Sequence, residues 1–217
     1  MKILFEDNHL IAAEKRSGQS VQPEPGKPVS LEEEVKAYIK TRYDKPGEVF
    51  LGVIHRLDMP VSGVVLFART SKALERMNKL FHDRQVDKWY IANVHGETPA
   101  EKEMVTHYLK RDEKRNFTKA FVNEAPGTQL AQLEYEVLFH KKNSTVIKIK
   151  LLTGRKHQIR AQLAAIGCPI IGDTKYGSDK ALPEHAIRLQ SAELSFTHPV
   201  TGAQIVISAN EPGWVTL

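Results

Sequence analysis

The stretch Leu51-Gly52-Val53-Ile54-His55-Arg56-Leu57-Asp58-Met59-Pro60-Val61-Ser62-Gly63-Val64-Val65-Leu66-Phe67-Ala68 places a polar interruption between two short apolar runs. Apolar runs of this length, bounded by Gly and Pro, read as strands. The interruption carries a basic pair, His55-Arg56, and a lone carboxylate, Asp58, in a loop with Pro60 and Gly63. An Asp placed this way lies at the rim of a sheet. On local pattern alone it reads as a turn cap, because Asp, Ser, Pro and Gly are ordinary turn residues.

Similar strand patterns occur on either side of this stretch. Lys2 to Phe5 and His9 to Ala13 predict two short strands, followed by a Gly/Pro-rich loop over Ser17 to Pro28. Ser30 and Glu33 form a capping box ahead of a helix to about Arg42. Thr70 or Ser71 caps a second helix with Leu74, Met77 and Phe81 on one face. Lys88 to Gly96 alternates as a strand, with Tyr90, Ala92 and Val94 on one face and Trp89, Ile91 and Asn93 on the other. From Pro99 to Gly127 the pattern is weak. Lys110 to Asn116 reads as an exposed charged turn and Phe117 to Val122 as a short strand. Gln129 to Phe139 and Thr145 to Leu152 predict an antiparallel pair, and Arg155 to Ile166 a helix stopped by Gly167. Strands at Ala192 to Phe196 and Gln204 to Ser208 complete the set. The expected fold is α+β: one mixed domain over residues 1–217, with a mainly antiparallel sheet flanked by helices.

Composition narrows the functional classes. The chain has 217 residues, of which 41% are hydrophobic and 26% charged, as expected of a soluble globular protein. No apolar run is long enough to span a bilayer, and the amino terminus turns acidic too early for a signal peptide, so a cytoplasmic location is expected. Cys168 is the single cysteine, which excludes an internal disulfide and a cysteine-based zinc site. Lys and Arg number 31 against 26 Asp and Glu, a net charge of +5 that permits a polyanionic partner without requiring one. Positive side chains gather at His55-Arg56, Lys110 to Lys119 and Arg155 to Arg160.

No His-Glu-x-x-His, phosphate-binding loop, dinucleotide fingerprint or Gly-x-Ser-x-Gly elbow is present. Asp58 therefore has to be weighed with the basic groups. A carboxylate serves as nucleophile or acid/base only where a site orders it, and a guanidinium stabilises its charged form. Arg155 falls on the predicted first turn of a helix, where the dipole slightly disfavours a cation, so an anionic partner would account for it.

Four blocks carry a resemblance. They are His55-Arg56-Leu57-Asp58 with Ser62-Gly63; Lys88-x-Tyr90-x-Ala92-x-Val94-x-Gly96; Thr153-Gly154-Arg155-x-His157-Gln158-Ile159-Arg160; and Pro169-Ile170-Ile171-Gly172-Asp173-x-x-Tyr176-Gly177. In order and separation they resemble the RluA-type family of RNA pseudouridine synthases, and the likeness continues to Ser195-Phe196-Thr197-His198-Pro199. The resemblance implies conversion of a uridine in structured RNA, ribosomal or transfer, to pseudouridine: the N1–C1′ bond breaks and the base rejoins through C5, without cofactor or metal. It makes Asp58 the catalytic carboxylate, attacking C1′, attacking the base or assisting glycal formation. Tyr90 would stack under the flipped uracil, and Arg155 would pair with Asp58. Arg56 would brace the vacated RNA stack, with His55, Lys156 and Arg160 among the RNA contacts and Lys110 to Lys119 adding phosphate contacts. Extruding a stacked base costs a few kcal/mol, which such contacts offset.

Three positions depart from the family pattern. Val61 stands where Thr is common, Glu14-Lys15-Arg16-Ser17-Gly18 replaces a usual Asn-Lys-Pro-Ser-Gly, and Ser191-Ala192 replaces a His-Ala pair. A separate S4-like RNA-binding domain is not expected, and a monomer is. Two other readings compete: a non-catalytic RNA-binding or chaperone protein with a retained cleft, and a metal-dependent nuclease using His55, Asp58 and Asp173.

Overall fold

The computed structural model describes residues 1–216. The fold is α+β with a largely antiparallel sheet and flanking helices. Its contacts divide the chain into two compact units, Met1–Val86 with Ser191–Asn210, and Asp87–Gln190 with Glu211–Leu217.

The first unit contains β1 (Lys2–Glu6), β2 (Leu10–Lys15), α1 (Leu31–Arg42), β3 (Gly52–Val53), β4 (Ser62–Ala68), α2 (Ser71–His82) and β11 (Gln204–Ser208), along with most of β10 (Leu189–Thr197). Strand order is β1-β2-β4-β10, with β3 on β4 and β11 on β10. The apolar run Val64 to Ala68 has no alternation because both of its faces are buried. Leu10, Ala12, Val64, Leu66 and Ala68 pack with Ala73 and Met77 of α2, and with Leu194, Phe196 and Ile207. Each such side chain taken fully out of water contributes about 1.5–3 kcal/mol.

Gly63 is fixed by packing. Its φ is +114°, and a Cβ there would lie 2.1 Å from the Ser191 carbonyl oxygen. Helix α1 begins with the expected capping box, in which the Glu33 N–H donates to Ser30 Oγ at 3.3 Å and Glu33 Oε2 accepts the Ser30 N–H at 2.8 Å. Ser30→Ala removes an acceptor at a fully buried cap. It is expected to cost about 1 kcal/mol in urea unfolding, with a change under about 0.3 kcal/mol counting against the cap's role.

The second unit holds β5 (Val86–His95), β6 (Lys102–Asp112), β7 (Phe117–Phe121), β8 (Gln129–Lys141), β9 (Ser144–Leu151) and α3 (Gln158–Ala165), in strand order β5-β9-β8-β6-β7. Two expectations are corrected here. The stretch read as patternless contains the long strand β6, which runs into the charged segment and leaves only residues 113–116 as the turn. Helix α3 begins at Gln158, not Arg155, because His157 is left-handed at φ +54°. Arg155 and Lys156 therefore lie in a loop, and the dipole argument for Arg155 falls away.

Candidate active site

Asp58 occupies an irregular loop that is held at several points. Upstream, His55 Nε2 accepts the Leu66 N–H at 3.0 Å and its ring stacks on Phe81 at 5.1 Å. Leu57 is buried, which turns its neighbours Arg56 and Asp58 toward the surface side of the loop. Downstream, the Val61 N–H donates to the Asp58 carbonyl at 3.0 Å, and the Met59 carbonyl accepts the Gly18 N–H at 2.9 Å. Val61 is itself buried, so the methyl group that replaces a hydroxyl here is well housed. Arg56 is exposed and donates to Gln22 Oε1 at 3.2 Å.

The sequence reading missed Lys15. This lysine is fully buried at the end of β2, where Nζ donates to the carbonyls of Gln19 at 2.7 Å, Arg16 at 2.9 Å and Met59 at 3.0 Å. It thus ties the residue after Asp58 to the Arg16–Gln19 turn. A neutral amine has only two N–H donors, so three carbonyls call for the ammonium form. Burial opposes this and pushes the Lys15 pKa down to about 7, while the charge of Asp58 pulls it upward. A lysine among strand residues gives no sequence signal that it is buried; its place beside Ser17-Gly18 was the only hint.

In the second unit, Tyr90 stands on the buried face of β5 opposite Ile149, with 8% of its surface exposed. The Arg155 loop is organised by Gln158. Its Oε1 accepts from the Thr153 hydroxyl at 2.8 Å and the Arg155 N–H at 2.9 Å, while its Nε2 donates to the Gln132 carbonyl at 3.0 Å. The Arg155 side chain donates through Nε to the Leu130 carbonyl at 3.2 Å. Lys156 is exposed, and its carbonyl accepts the Thr118 hydroxyl at 2.9 Å.

Arg160, expected at the surface, is buried. It forms a bidentate pair with Asp173 at 2.6 and 2.8 Å and lies over the Tyr176 ring at 4.9 Å. The Tyr176 hydroxyl accepts the Thr118 N–H at 2.9 Å and is 2.8 Å from His157 Nδ1. Burial raises the Tyr176 pKa, keeping the phenol protonated. Two sequence blocks thus interlock, Arg160 with Asp173 and His157 with Tyr176, and they fix where Arg155 and Lys156 start. His55 and Arg160 are engaged in holding the fold, whereas Arg56 and Lys156 are exposed. Among the described residues, no three His, Cys, Asp or Glu side chains gather as a metal site.

The sequence model of the family described as RNA pseudouridylate synthase matches residues 9–165. The chain belongs to that family. It is 34% identical over 209 residues to the dual-specificity RNA pseudouridine synthase RluA of Escherichia coli, covering 95% of this chain and 91% of that protein. It is 30% identical over 213 residues to ribosomal large subunit pseudouridine synthase C of Vibrio vulnificus, covering 95% of this chain and 64% of that relative's length. Among solved structures, human RNA pseudouridylate synthase domain containing 4 superposes with a TM-score of 0.81 at 21% identity, over 98% of this chain and 89% of that one.

In this pseudouridylate synthase family member, Lys15 gives a pH prediction. Its folded pKa is about 7 against an ordinary value of 10.5, so between those pH values the unfolded chain holds a proton that the folded chain lacks. Stability therefore rises with pH across that window, by up to about 1.4 kcal/mol per unit, and falls as pH drops toward 7. Lys15→Met is expected to lose that slope. The check is urea unfolding of both proteins from neutral to alkaline pH. A constant difference between them would contradict the burial argument.

Proposed function

We propose that the chain is an RNA pseudouridine synthase that isomerises specific uridines in ribosomal or transfer RNA, with Asp58 as its catalytic carboxylate. Family membership supports the reaction class. The observation that carries Asp58 is its loop: His55, Lys15 and the Met59 and Val61 amide bonds hold one half-buried carboxylate in place, in a chain whose family blocks coincide with those anchors.

The chemistry requires cleavage of the N1–C1′ bond, rotation of the base and bond formation from C5 to C1′. A held carboxylate serves as nucleophile or proton acceptor in such a sequence. Tyr90 gives an aromatic surface for the uracil, and Arg155 supplies a guanidinium for the carboxylate. Arg56 and Lys156 are exposed cations suited to RNA contacts. His55 and Arg160 support this chemistry by positioning the loops that carry Asp58 and Arg155.

The test is modification mapping of RNA from cells lacking the gene, before and after addition of the purified protein. Uridines that become pseudouridine only on addition support the proposal and identify the substrate. RNA that is bound but unchanged at every uridine would favour a non-catalytic RNA-binding protein.

A further inference from the structure

The hairpin of β6 and β7 carries charge that the fold does not require. Residues 110–119 contain Lys110, Arg111, Lys114, Arg115 and Lys119 against Asp112 and Glu113, a net of +3 in a chain whose total is +5. The two carboxylates serve the turn: Asp112 Oδ1 accepts the Arg115 N–H at 3.1 Å and Glu113 lies 3.9 Å from Arg111. Lys110 and Lys119 are exposed and directly opposite each other in register. Like charges so placed repel, so the pair works against the hairpin unless an anion lies between them.

One register step away on the same face, Tyr108 stands opposite Phe121, both half-buried, with Lys119 Nζ 5.1 Å from the Phe121 ring. Two residues along a strand span about 6.6 Å. A pair of ammonium groups followed by a pair of rings follows the alternation of phosphate and base in an unpaired strand. A duplex hides its bases and would leave the rings unused.

The opposite face of the hairpin is committed to the core, where Leu109 and Ala120 pack with Ala161 and Tyr176. The hairpin is also tied to the Arg155 loop. The Thr118 N–H donates to Tyr176, the Thr118 hydroxyl to the Lys156 carbonyl at 2.9 Å, and Lys175 Nζ to the Asn116 carbonyl at 3.2 Å.

We infer that the β6–β7 hairpin is an arm for single-stranded RNA, with a phosphate held between Lys110 and Lys119 and the adjoining base laid on Tyr108 and Phe121. This rests on the reading of the chain as an RNA-modifying enzyme and adds how it grips RNA flanking the target uridine. Because the arm is braced to the Arg155 loop, RNA held there is registered against the proposed catalytic groups.

The probe is a fluorescein-labelled oligouridylate, titrated by anisotropy at several salt concentrations, with a duplex of equal length beside it. Lys110→Gln/Lys119→Gln should weaken single-strand binding several-fold and reduce the slope of log K against log salt by about 1.4, near 0.7 per lost contact. Tyr108→Leu/Phe121→Leu should weaken it by about tenfold with an unchanged salt slope, and leave duplex binding alone. The lysine variant removes a repulsion, so its thermal midpoint should not fall. Wild-type affinity and slope in the lysine variant would overturn the inference, as would equal losses on duplex and single strand in the aromatic variant. Tritium release from C5-labelled RNA, run separately, reports on the catalytic reading: its absence in wild type would sink that reading while the binding curves still decide the arm.

Discussion

Asp58→Asn is expected to abolish pseudouridine formation, lowering turnover by at least about a thousandfold, while RNA affinity and folding are largely kept. Asparagine matches the carboxylate in shape, and the loop's anchors do not use the Asp58 side chain. The His55–Leu66 bond, the Met59 carbonyl contacts and the Val61 N–H bond all involve other atoms. What the variant loses is the charge and the nucleophilic or basic oxygen. One further consequence separates this prediction from a general loss of structure. The charge of Asp58 holds the Lys15 pKa up against burial, so its removal should drive that pKa lower still. The stability slope above neutral pH should then extend to more acidic pH in the variant.

The second large effect is on stability. Asp173→Ala would leave the Arg160 guanidinium, whose side chain is only 7% exposed, without its bidentate carboxylate. Breaking a buried pair by removing one partner typically costs about 3–5 kcal/mol. A domain holds about 5–15 kcal/mol in all. The loss should be felt along the Tyr176–His157 contact and so at the Arg155 loop, lowering RNA turnover as well. Arg160→Met/Asp173→Leu, which removes both charges, should recover much of the stability. Urea unfolding decides the matter. A cost below about 1 kcal/mol for the single variant, or no recovery in the double, would show that the pair is not what holds this segment.

How far the sequence predicted these features depended on side-chain contrast. The Val64 to Ala68 strand, the Ser30–Glu33 cap and the Thr70 cap were readable because each pairs a strong local pattern with a matching partner a few residues away. Strand β6 was not, because its buried face includes His107 between Val105 and Leu109 and its outer face includes Met104 and Tyr108. That mixture erases the alternation. The start of α3 was misplaced because Arg155 to His157 are acceptable helix residues. The Gln158 side chain and the left-handed His157, which end the loop, act through tertiary contacts that spacing does not encode.

Site chemistry divided in the same way. Asp58, Tyr90 and Arg155 stood out through the order of four motif blocks. The burial of Arg160 depended on a carboxylate 13 positions later, and that of Lys15 on carbonyls as far away as Met59. A charged side chain reads as surface until the fold supplies its partners, which is why both were assigned to solvent or passed over.

The most direct test of the central claim is tritium release from RNA labelled at uridine C5, with wild type and Asp58→Asn compared at equal, RNA-saturating concentration. The account predicts release by the wild-type protein, matched by pseudouridine in the product, and none above background from the variant. Full turnover by Asp58→Asn, or no release by the wild type on any cellular RNA, would contradict it.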